Sequence, residues 1–76
     1  MNKKYKAKGY NLYRNSSNKV FTYAVVFKNF GCPDRPGDNL AADFHISRQL
    51  AEANVRKINR LSHLEYVEIV EVEEVA

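Results

Sequence analysis

The stretch KVFTYAVVFKNF, Lys19 to Phe30, decides the fold. Val20, Phe21, Thr22, Tyr23, Val25, Val26, Phe27 and Phe30 are β-branched or aromatic, the side chains that suit a pleated, half-buried surface. No other segment of the chain reads as strongly as a strand. Its apolar residues fall on both parities. Since neighbouring side chains of a strand point to opposite faces, this predicts burial on both faces or a protein contact on the second.

Toward the N-terminus, Asn15-Ser16-Ser17-Asn18 is a turn cluster, because these short polar side chains hydrogen-bond their own backbone. Before it, Tyr5 to Arg14 alternates in strand fashion. Lys4, Lys6 and Lys8 lie on one parity, with Tyr5, Ala7, Gly9 and Tyr13 on the other. Gly9 marks a bulge or a bend that changes which face is buried. The two segments are expected to form one hairpin with a loop of about four residues.

Toward the C-terminus, Gly31 to His45 reads as a long connection. Cys32-Pro33-Asp34-Arg35-Pro36-Gly37-Asp38-Asn39 is turn chemistry throughout, and the two prolines forbid a regular ladder. Long loops in small domains often carry function. Ser47 then reads as an N-cap, with Ile46 before it as a staple residue. Arg48 to Leu61 reads as a helix. Leu50, Ala51, Asn54, Val55, Ile58 and Leu61 recur at three- and four-residue steps as the buried stripe. Arg48, Gln49, Glu52, Arg56, Asn59 and Arg60 face water, with Glu52 and Arg56 spaced as an i,i+4 ion pair. Leu64 to Val75 is the last strand, again apolar on both sides.

The expected fold is α+β. It has a three-stranded antiparallel sheet in ββαβ order, spatial order 2-1-3, with one helix packed on one face. Residues 1–76 make a single small domain.

The formal net charge of +3 is unevenly spread. Residues 1 to 30 hold seven Lys or Arg and no acid, whereas residues 65 to 74 hold five Glu and no base. A basic segment suggests a polyanion or an acidic partner. If the first strand lies antiparallel beside the last, however, its lysines meet those glutamates, and the charge is used inside the protein.

Catalytic chemistry has little to build on. Cys32, His45 and His63 lack any metal-ligand or nucleophile spacing, and the three glycines are too scattered to cradle a phosphate. His45 reads as a loop residue before the helix, and His63 as a cation at its end. The expectation is a protein that is not an enzyme, with no catalytic residues, no metal and no cofactor. With one cysteine, no disulfide framework exists. The start, Met1 to Tyr5, is not followed by a signal-like apolar run. The longest apolar run, Tyr23 to Phe27, cannot span a bilayer. A cytoplasmic location in a bacterial host cell is expected, with no membrane partner.

Binding remains. One helix covers one face of a three-stranded sheet, so Val20, Val26, Phe30, Val67 and Ile69 are expected on an exposed apolar face that wants a protein partner, a second copy of the chain included. The expected contacts are Lys4, Lys6, Lys8, Tyr10, Tyr13 and Arg14 on the hairpin, Asp34 and Arg35 in the loop, and Arg48, Arg56 and Arg60 on the helix. In size and style the chain resembles small proteins of bacteriophages and mobile elements that block host complexes, including inhibitors of CRISPR and restriction systems. Its basic charge departs from the acidic inhibitors that mimic DNA. The alternative is a small nucleic-acid-binding domain, in which the same lysines neutralise phosphates and the tyrosines stack on bases.

Overall fold

A computed structural model describes residues 2–31 and 39–75. The elements in chain order are β1 (Lys3–Ala7), β2 (Tyr13–Ser16), β3 (Tyr23–Asn29), β4 (Leu40–His45), α1 (Arg48–Ile58) and β5 (Leu64–Val75). The strands form one antiparallel sheet in the order β2-β1-β5-β3-β4. The expected three-stranded sheet in the order 2-1-3 is therefore wrong on two counts: the described residues form five strands, and the last strand lies between the first and the strong central one.

Two local errors produce this. Tyr5 to Arg14 is not one strand. The chain reverses at Gly9, whose φ of +88° is the left-handed region that only glycine enters without strain. Ala7 closes the turn by donating its N–H to Leu12 and accepting from Tyr10. The hairpin is thus β1 with β2, and β3 pairs with β4 and β5 instead of β1. The second error is β4. The segment Leu40 to His45, expected as the end of a loop with His45 a loop residue, pairs along β3 from Lys28–Leu40 to Tyr23–His45.

The 12-residue β5 joins the two halves of the sheet. Its first part, Leu64 to Glu71, pairs with β3 across a register shift at Val26/Phe27. Its last part, Val72 to Val75, pairs with β1. The first and last strands therefore do lie antiparallel, as their opposite charges suggest.

The sheet curls nearly into a barrel, and its inner face needs no helix to cover it. In a flat sheet β1 and β4 would stand three strand spacings apart, about 14 Å. Here the Phe21 ring packs edge-on against Tyr5 of β1, with centroids 5.4 Å apart, and against Phe44 of β4 at 5.9 Å. Tyr5, Ala7, Phe21, Ala24 and Phe44 form the inner core, with Tyr10, Leu12, Ala42, Val70 and Val72 packed against it. Thr22 fastens the segment carrying Phe21, donating its N–H to the His45 carbonyl and accepting from Val72 N–H.

On the outer face, α1 covers the β3–β4–β5 half. Val25, Phe27, Ala51 and Ile58 are its core, with Tyr23, Ala41, Val55, Leu64 and Ile69 around them. Ser47 caps α1 through its side chain, which accepts from Leu50 N–H at 3.3 Å. The buried stripe is narrower than the spacing predicts. The helix stops at Ile58, Leu61 lies beyond it, and Leu50 is exposed.

The predicted apolar face accordingly divides. Val26 is fully buried in the curl and Ile69 is half-buried under α1. Val20, Phe30 and Val67 remain exposed, at 62%, 57% and 37%. A sheet that curves shelters one of its own faces, so a single helix does not leave the whole second face bare.

Candidate binding surface

Strand alternation and register place the predicted contact residues. Tyr5 and Ala7 point into the curl, so Lys4, Lys6 and Lys8 point outward, on the side that α1 covers farther along the sheet. Lys4 stands 4.6 Å from the centre of the exposed Tyr13 ring. Lys6 lies directly across from Glu73. Lys8 is held beside Glu71 by its backbone N–H, which donates to the Glu71 carbonyl. Lys3 reaches Glu74 at 3.5 Å, and on β3 Lys28 reaches Glu65 at 3.7 Å. These pairs are exposed and stabilise little. Their effect is on the field, since each hairpin lysine has a glutamate of β5 as neighbour or near neighbour.

Tyr10 and Arg14 each make contacts within the chain. Tyr10 packs on the inner core, and its hydroxyl donates to the Glu68 carboxylate. That bond raises the phenol pKa above its ordinary value, helped by partial burial and by the Glu68 charge. The Arg14 guanidinium lies 5.6 Å from the centre of the Phe21 ring, over the plug of the curl.

Arg48 is also engaged. Its Nε donates to Glu52 at 3.2 Å, and its guanidinium sits 5.7 Å from the Tyr23 ring centre. Glu52 therefore pairs with Arg48 rather than with Arg56 as the spacing suggested. This leaves Arg56 and Arg60 without a carboxylate partner among the described residues, together with Lys57. The three cations cluster at the C-terminal end of α1, where the macrodipole favours positive charge. Phe30, Leu61 and Tyr66 are exposed at the same end, where Phe30 N–H donates to the His63 carbonyl. Asp34, Arg35 and Cys32 lie outside the described residues.

A second constellation was not foreseen. Asp43 and His45, two residues apart on β4, share the face beneath α1. Asn54 of the helix reaches both, with Nδ2 2.7 Å from Asp43 Oδ2 and 3.0 Å from His45 Nε2. Burial, the larger cause, and the Arg14 charge lower the His45 pKa, and the Asp43 carboxylate opposes them. The segment Ala42-Asp43-Phe44-His45 alternates small or apolar with polar residues, and that signal was masked by the proline-rich run before it. Among the described residues no three His, Cys, Asp or Glu side chains gather as metal ligands. No helix is long and apolar enough to cross a membrane.

No family model, curated protein or solved structure matches the chain.

Proposed function

We propose that this chain is a non-catalytic protein-interaction module that docks on an acidic protein surface through Arg56, Lys57 and Arg60, with Phe30, Leu61 and Tyr66 as apolar neighbours. The observation that carries this reading is the division of the cations. Those of β1 run beside the glutamates of β5, whereas those at the end of α1 have no carboxylate partner among the described residues. A nucleic-acid footprint would need a continuous basic track. Here Glu71, Glu73 and Glu74 border the lysines and would repel phosphates. Aromatic and Arg side chains grouped at one exposed end suit a protein contact better. A host complex blocked by a phage or mobile-element protein is the partner class that the chain's size and basic charge support.

The test is cross-linking and affinity capture from bacterial lysate with the natural chain and with R56E/R60E. A stoichiometric protein partner that the double reversal releases is expected. Capture unaffected by the reversal would overturn the assigned surface. Mobility shifts with DNA or RNA that weaken steeply with salt would favour the nucleic-acid reading instead.

A further inference from the structure

We propose that Asp43, His45 and Asn54 form a pH-sensitive latch that holds α1 on β4 while the His45 ring is neutral.

The hydrogen-bond geometry requires a neutral ring. Asp43 Oδ2 can only accept, so the Asn54 atom 2.7 Å from it is the amide nitrogen. That nitrogen has two hydrogens. One serves Asp43, and the other points at His45 Nε2, 3.0 Å away. Nε2 must then carry a lone pair, which places the ring proton on Nδ1. One amide from the helix thus ties two side chains of the strand, and the tie to His45 exists only in this protonation state.

Protonation removes the acceptor. Nε2 gains a hydrogen, and the second Asn54 hydrogen loses its partner in a half-buried site. The groups around the ring come from every neighbouring element. Asp43 on β4 attracts the new cation. Arg14 of β2 repels it. From β3, Tyr23 is the residue paired with His45, and Arg48 of α1 sits over the Tyr23 ring, itself paired with Glu52. Among the described residues Asp43 is the carboxylate that acts on the ring, and burial opposes the new charge.

The sign of the linkage follows. The unfolded chain binds a proton at His45 near the ordinary value of 6.5, and the folded chain binds it only at lower pH. Stability from the latch is present above 6.5, and it falls as pH falls from there through the folded-state value.

The experiment follows the His45 ring protons by NMR, with the melting temperature measured in parallel between about pH 7.5 and about pH 5.5. His45 is expected to titrate below 6.5, with Nδ1 protonated at neutral pH. The Asn54 amide and the α1 backbone signals should shift with the same midpoint. Asp43→Asn should move that midpoint further down, and Arg14→Gln should move it up. His45→Gln, whose side-chain oxygen still accepts from Asn54, should remove the part of the melting-temperature loss that follows this midpoint. A midpoint at or above 6.5, or an unchanged pH profile in folded His45→Gln, would overturn the proposal. If Asp43→Asn does not fold, the natural chain's midpoint and tautomer decide alone.

Discussion

Tyr5 is only 2% exposed, yet its hydroxyl, enclosed in the curl, finds no hydrogen-bond partner among the described residues. The ring is indispensable, because it forms one wall around Phe21. The oxygen is not, and burying an unpaired hydroxyl is unfavourable. Tyr5→Phe keeps the ring and removes the orphan, so we expect a gain of about 1 kcal/mol in urea unfolding. A loss of similar size would mean that the hydroxyl is satisfied in solution. The alternation of Tyr5 and Ala7 against Lys4, Lys6 and Lys8 was legible in the sequence, because a period of two is a local property of the strand. What the tyrosine packs against was not, because Phe21 and Phe44 arrive from distant parts of the chain.

At the scale of elements, α1 shows how local rules succeed and where they stop. Its start was legible in Ser47, whose side chain accepts from Leu50 N–H. Ser47→Ala should cost about 1 kcal/mol, measured by chemical denaturation, with the core spectra unchanged. Its end was overestimated, since periodicity continues through Leu61 although the helix stops at Ile58. β4 was invisible for a related reason. Edge strands are short and half-buried, and the preceding prolines outweighed a weak alternation. The Asp43–His45–Asn54 cluster was lost with it, because that cluster exists only when β4 is a strand lying under α1.

For the whole molecule, Phe21 is the residue on which the curl depends. It touches both ends of the sheet, and the halves are otherwise joined through β5. Phe21→Ala should cost roughly 3–5 kcal/mol, against a total stability typical of small domains of about 5–15 kcal/mol. Thermal unfolding would check this, and a loss below about 1 kcal/mol would show that the curl does not need its plug. The placement of charge belongs to the same scale. The basic beginning and acidic end were plain in the sequence, and their antiparallel meeting was one arrangement it allowed. Which cations were left over was not, because that depends on Arg48 rather than Arg56 meeting Glu52. The sequence by itself determined a small mixed α/β chain, the presence of β3 and the extent of β5, the cap of α1 and the polarity of β1. These rest on contacts between near neighbours or on periodicity within one segment. Only the tertiary structure decided that β5 lies between β1 and β3, that the sheet bends around Phe21, and that Asn54 meets Asp43 and His45. Each of these joins residues far apart in the chain, and no local pattern encodes their distance.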